Sequence, residues 1–224
     1  MDQQFQTGAW MNWLEDLPEE VVAQRPLLQM GVAWSLLNEG RLDEGEREVK
    51  KVEAWLQPGA ATPVFADEEQ YHHLPADLAT ARAYVAQSRK DIPLAVKHAH
   101  RALDLLPEHD HLRRGPAAAL LGLTYWADGR LEEAHRAVTE AMENFRKVNN
   151  PIFAISGAYF LADMRAAQGR LHEAERSLQR SLDLAAEIGV SPPGMGDLYL
   201  GLAELYLQWN DMKTAEAHLR KSEE

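Results

Sequence analysis

Small and apolar residues along the chain fall into helical spacings that break, at nearly regular intervals, on a glycine or a polar turn residue. Three stretches repeat almost verbatim: "EGRLDEGERE" at Glu39–Glu48, "DGRLEEAHRA" at Asp128–Ala137 and "QGRLHEAERS" at Gln168–Ser177. Two degenerate copies, "KDIPLA" from Lys90 and "NDMKTA" from Asn210, complete the series. Setting each turn residue as zero gives 40, 90, 129, 169 and 210, with spacings of 50, 39, 40 and 41. A period in this range predicts a solenoid built from one supersecondary unit. Strand-like alternation is nearly absent, so the chain reads as all-α. First helices are expected near 27–38, 76–88, 116–127, 152–167 and 194–208, and second helices near 42–56, 92–106, 131–147, 171–188 and 212–222.

The offsets around each zero give the reason. Seven residues before it stand Ala33, Ala83, Gly122, Ala162 and Ala203, and five after it Gly45, Ala95, Ala134, Ala174 and Ala215. At +9 come Val49, Ala99, Val138, Leu178 and Leu219. Small residues at −7 and +5 let two helices cross closely, and the larger residue at +9 packs them. Glycine or asparagine at zero suits the left-handed residue that ends a helix. This pattern resembles the tetratricopeptide repeat over roughly residues 27–222. Pro107, at +17 in the second copy, matches that family's terminal proline, which the third and fourth copies lack. The resemblance implies a right-handed superhelical solenoid of about five and a half helix-turn-helix repeats.

On this reading residues 1–224 form a single repeat domain. Residues 1–26 are an N-terminal half repeat, and the repeats span 27–56, 76–107, 116–147, 152–188 and 194–222. The turn-rich segment "QPGAATPVFADEEQYHHLP", residues 57–75, is expected as an insertion loop. Trp10, Trp13, Leu14, Leu17 and Pro18 read as a second helix without its first. Met212, Ala215 and Leu219 form a thin apolar stripe with nothing beyond to cover it. Solenoids close with polar caps, so the chain is expected to be a fragment of a longer protein.

Composition narrows the chemistry. Hydrophobic residues at 46% and charged residues at 26% are ordinary for a folded chain. The absence of cysteine removes disulfides and thiolate metal sites and fits a reducing, cytoplasmic setting. No run of about 20 apolar residues exists, so a membrane span is not expected. Thirty-five acidic against 23 basic residues give a net charge of −12, which disfavours direct contact with nucleic acid.

A narrower resemblance follows from "WLEDLPEEVVAQRPLLQMGVAWSLLNEGRLDEGE" at Trp13–Glu46. It is similar to the repeat region of MalT-like regulators, the large ATP-dependent branch of the LuxR-type transcription activators. There the phrase W-L-x-x-L-P, R-P-x-L and A-W-x-L-L-x-x-G-R-L is typical. "GLAELYLQWNDMKTAEAHL" at Gly201–Leu219 resembles the last repeats of the same region. The resemblance implies a sensor domain set between a nucleotide-binding module and a helix-turn-helix domain. Such a domain takes a small-molecule effector or a protein partner and passes the event to self-association. Neither neighbouring module is in this sequence: "GPAAALLG" lacks the lysine of a phosphate-binding loop, and no basic recognition helix occurs. A stand-alone repeat scaffold for a protein segment is the alternative.

In such a superhelix the −10, −6 and −3 or −2 positions of the first helices face the groove. They give Met30, Trp34, Leu37 and Asn38, then Thr80, Tyr84, Gln87 and Ser88. Leu123 and Trp126 follow, then Tyr159 and Asp163, and last Leu200, Glu204 and Gln208. The ligand-groove candidates are therefore Trp34, Asn38, Tyr84, Gln87, Trp126, Tyr159, Asp163, Glu204 and Gln208. Ring faces stack and side-chain oxygens accept hydrogen bonds, which suits a neutral polyhydroxylated or a cationic ligand. The −6 positions carry no cation, which argues against an acidic C-terminal peptide. His72 with His73, and His109, Asp110 and His111, sit in expected loops and give no metal site; no cofactor is expected. No nucleophile–base trio stands out, so the chain is not expected to be an enzyme.

Overall fold

The computed structural model describes residues 17–58, 68–148, 151–188 and 195–223. Among these residues eleven α-helices and no strand occur. In chain order they are α1 (Glu19–Ala23), α2 (Pro26–Asn38), α3 (Leu42–Ala54), α4 (Glu68–Ser88), α5 (Ile92–Leu105) and α6 (His111–Ala127). Then come α7 (Leu131–Lys147), α8 (Pro151–Ala167), α9 (Leu171–Ile188), α10 (Met195–Gln208) and α11 (Met212–Ser222). No helix among the described residues is long and apolar enough to cross a membrane.

All five turn residues of the repeat are left-handed. Gly40, Gly129 and Gly169 have φ of 78°, 74° and 76°, and Lys90 and Asn210 take 61° and 60° despite their side chains. At each turn the N–H one residue past zero reaches back to the carbonyl four residues before zero. The bonds are Arg41 to Leu36, Asp91 to Ala86, Arg130 to Tyr125, Arg170 to Arg165 and Asp211 to Tyr206, all at 2.8–2.9 Å. This bond closes the first helix on its own last carbonyls. The start of the second helix is secured in one of two ways. Where zero is glycine, an arginine at +1 pairs with a glutamate at +4: Arg41 with Glu44, Arg130 with Glu133, Arg170 with Glu173. Where glycine is missing, an aspartate at +1 caps the helix instead. Asp91 accepts from the Leu94 N–H and Asp211 from the Thr214 N–H.

Contacts divide the chain into two compact units, residues 1–124 and 125–224. In the first, α2 packs on α3, α3 on α4 and α4 on α5, while α2 also reaches α4. The second repeats the scheme: α7 on α8, α8 on α9, α9 on α10, α10 on α11, with α8 also reaching α10. α4, α8 and α10 thus have a second helix on each side, and the apolar residues of such first helices are spread around the helix rather than gathered in one stripe. Second helices such as α7 and α9 carry a single apolar stripe instead.

The core of the first unit gathers Met30, Leu37, Val49, Val52, Leu74, Leu78 and Val85 around Ala33 and Ala81. A smaller contact of Ala79, Ala102 and Ala117 ties α6 to α4 and α5. In the second unit Ile155, Leu178, Leu182, Leu198, Leu202 and Leu205 surround Ala158, Ala162, Ala174 and Ala185. Each large aliphatic contributes about 1.5–3 kcal/mol by leaving water, and the alanines set how closely the helices approach. The first copy needs even less than alanine at +5: a Cβ on Gly45 would lie 2.6 Å from Leu37 Cδ2.

Two boundaries differ from the sequence reading. Residues 68–75, expected within the 57–75 insertion loop, form the first turns of α4, with Pro75 inside the helix. Helix α6 starts at His111 rather than 116 and likewise contains Pro116. A proline in a helix gives up a backbone bond. Here burial of Leu74, Ala76 and Leu78 around one proline, and of Ala117 and Ala118 beside the other, outweighs that loss. Residues 59–67 of the expected loop lie outside the described residues, as do Trp10, Trp13 and Leu14. Leu17 and Pro18 stand before α1 and outside any helix. In the last repeat Ala215 is buried, but Met212 and Leu219 are 61% and 45% exposed.

Candidate functional site

In the first unit the structure brings Trp34 on α2 against Tyr84 on α4. The rings meet edge to face, with centroids 5.7 Å apart and planes at 70°. The Tyr84 hydroxyl donates to the Leu37 carbonyl at 3.3 Å. Both rings pack on the core cluster and are only half-exposed, so their surfaces are spent joining two helices. Of the other positions expected on the groove, Met30 and Leu37 belong to the core. Thr80 is also buried, its hydroxyl donating to the Ala76 carbonyl at 3.0 Å. Asn38 is exposed and Gln87 half-buried.

The second unit places four candidates around one opening. Tyr159 and Asp163 on α8 and Glu204 and Gln208 on α10 line a shallow cleft of ≈ 260 Å³ including the solvent at its mouth, with Ala162, Ala166, Leu178, Gly201 and Leu205 completing its walls. One turn separates Tyr159 from Asp163, and another Glu204 from Gln208, so each helix offers one face. Gly201 forms part of the floor. A Cβ there would lie 3.1 Å from Leu178 Cδ1 and 3.2 Å from Tyr159 Cδ2. Any larger residue would push the tyrosine ring toward the opening. The sequence reading missed this glycine, although a glycine inside an otherwise apolar helix is itself a sign of close approach.

The cleft is electrically one-sided. Burial pushes the Asp163 carboxyl above its ordinary range, and no cation opposes the shift. Burial also raises Glu204, with the Asp163 charge adding to it. The Tyr159 phenol is raised by burial and then by Glu204, Asp163 and Asp197. Neither Asp163 nor Glu204 has an ion-pair partner among the described residues. An arrangement of this kind rewards donors: a cationic group or several hydroxyls would each relieve the mutual repulsion of the carboxylates. Trp126 is half-buried in the last turn of α6.

The histidine clusters, expected in loops, are placed otherwise. His72 and His73 lie on α4, and only His109 and Asp110 remain in the turn before α6. Asp110 caps α6 by accepting from the Arg113 N–H, and its side chain takes the Arg113 guanidinium at 3.2 Å. His73 Nδ1 approaches the same carboxylate at 3.5 Å, and Asp77 stands 3.5 Å from Arg113. Burial pushes the Asp77 carboxyl up to about 6, against the pull of Arg113 and His73. The cluster joins α4 to α6; among the described residues no three acidic, histidine or cysteine side chains are set to hold a metal.

The profile of a family described as the MalT-like TPR region matches residues 76–223. No curated protein matches the chain. Among solved structures it is similar to BtubC (BKLC) from P. vanneervenii, at 14% identity over 98% of this chain and 89% of that one, with a TM-score of 0.67. The apo form of RapI is 13% identical over 88% and 68% of the two chains, with a TM-score of 0.69. A putative kinesin light chain from Podospora anserina, of nearly identical TPR-like repeats, is 17% identical over 87% and 92%, with a TM-score of 0.61. At these identities the likeness speaks for the fold alone, a TPR-like helical solenoid.

Proposed function

The chain belongs to the family of MalT-like TPR regions, and from that premise we propose that it is the sensor and protein-interaction part of a MalT-like, LuxR-type transcription regulator. It is non-catalytic, acts in the cytoplasm and leaves DNA contact to another module. The observation that carries the reading is the cleft of Tyr159, Asp163, Glu204 and Gln208. An aromatic wall, two unneutralised carboxylates and an amide meet on two successive first helices. A small effector rich in hydroxyl or ammonium donors is the occupant this chemistry favours. The exposure of Glu204 and Gln208 at one rim supports a second reading, in which a stand-alone scaffold holds a protein segment along the same surface.

The test is a thermal-shift screen of polyols, sugars and amines, followed by calorimetric titration of any hit. Asp163→Asn should weaken the hit at least tenfold, about 1.4 kcal/mol, without lowering the melting temperature. A screen in which no such compound raises the melting temperature sinks the small-effector reading. Binding of peptides instead, lost in Asp163→Asn, would establish the scaffold. A phosphate-binding loop encoded upstream and a helix-turn-helix downstream are what the regulator reading requires of the gene.

A further inference from the structure

A larger opening lies in the first unit, among α3, α4 and α5. It measures ≈ 750 Å³ including the solvent at its mouth. Pro75, Leu78 and Ala79 of α4 make an apolar floor, Leu56 and Gln57 follow α3 along one side, and His98 and Arg101 of α5 form the other. Arg82 and Glu53 stand between them.

The charges here reverse the balance of the chain. The Arg82 guanidinium is held by both oxygens of Glu53 and lies 3.5 Å from Glu46, so it is fixed in place and largely neutralised. Arg101 and His98 have no ion-pair or hydrogen-bond partner among the described residues. They sit three apart on one face of α5. Burial lowers the proton affinity of His98; Arg82, Lys97 and Arg101 lower it further, and Glu53 alone opposes them. Burial first, and then these cations, thus favour the neutral imidazole, on a chain whose net charge is −12.

We propose that this cleft binds a small molecule through a compact oxyanion, phosphate or carboxylate, held by Arg101 and His98 beside the anchored Arg82. Guanidinium donors match the spacing of two oxyanion oxygens, and charge-assisted bonds of this kind are the strong ones. The apolar floor would take the body of the molecule. This site is separate from the cleft of Tyr159 and Asp163 and does not rest on the regulator reading.

The experiment follows the His98 imidazole by NMR, on the full chain, from pH 5 to 8. It compares inorganic phosphate, succinate and sodium chloride at one ionic strength, with exposed His172 as the internal control. Bound oxyanion should raise the pKa of His98 saturably and leave His172 where it was. A response to phosphate alone identifies a phosphoryl ligand, and a response to both shows that carboxylate suffices. Arg101→Ala should raise the pKa of His98 without any anion, because a cation is gone, and should weaken the anion response tenfold or more. Equal, unsaturable shifts at His98 and His172 would mean plain screening and overturn the proposal. So would an anion response that survives Arg101→Ala.

Discussion

The two units carry the same repeat but differ at one offset. Six residues before the turn, the first unit has Trp34, Tyr84 and Leu123, and the second has Asp163 and Glu204. Two rings at this position close on each other, edge to face, and the space between successive first helices is filled. Two carboxylates repel, neither finds a cation, and a cleft stays open between α8 and α10. The repeat therefore fixes where the −6 position is, while the residue there decides whether the space beside it is filled or left open. A shared scaffold with a variable wall is how one architecture serves many ligands.

The largest expected effect tests the closed region. Trp34→Ala should cost about 3 kcal/mol, because the removed ring leaves a hole against Tyr84 and the core. Chemical denaturation of the full chain measures this. A cost near zero would make Trp34 a wall residue open to ligand and erase the contrast.

A middle-sized effect separates burial from repulsion as the reason carboxylates are raised. Asp77 lies outside either groove, yet burial holds its carboxyl at about 6. A raised carboxyl stabilises the fold while protonated. That contribution is complete below the unfolded value near 4 and is lost as pH rises through about 6. Asp77→Asn should therefore stabilise at pH 7 by about 1–2 kcal/mol, because the amide brings no charge into the buried site while the lost pull of Arg113 is already counted in the raised value. The gain should shrink to nothing by pH 4. A variant that is less stable at pH 7 would show that the Arg113 pair outweighs burial.

The smallest effect belongs to the open region. Asp163→Asn should raise the melting temperature slightly at pH 7 and leave it unchanged in acid, by the same sign argument. The shift should stay below that of Asp77→Asn, since Asp163 is closer to solvent. A lower melting temperature at pH 7 would mean that Asp163 has a partner holding α8 to α10.

Much of this was legible from spacing alone. The zeros at 40, 90, 129, 169 and 210 locate five left-handed turns, and the +5 small residues are buried in all five copies, three of them fully. Helix ends were less legible. "YHHLP" reads as a breaker because proline's local cost is visible in the sequence, whereas the buried Leu74 and Leu78 that override it are a property of packing. Of the groove candidates, Tyr159, Asp163, Glu204 and Gln208 come together and Trp34 meets Tyr84. Whether a ring at −6 faces a ligand or another ring depends on its partner one repeat away, and offsets within a single copy do not carry that. The cleft of Arg82, His98 and Arg101 draws on three helices and has no repeat signature at all.

The turn bears on how the chain is made. Each one closes through a bond between residues five apart, with its clamp or cap inside the next three. Loops so short close in about 10–100 ns, and helices grow by roughly a residue per nanosecond. A ribosome adding about 5–20 residues per second needs roughly 2–8 s for one repeat of 40 residues. Synthesis is slower than turn closure by more than seven orders of magnitude. Turn closure is thus never the slow step during synthesis, and each turn has time to form before the first helix of the next repeat emerges to cover its pair.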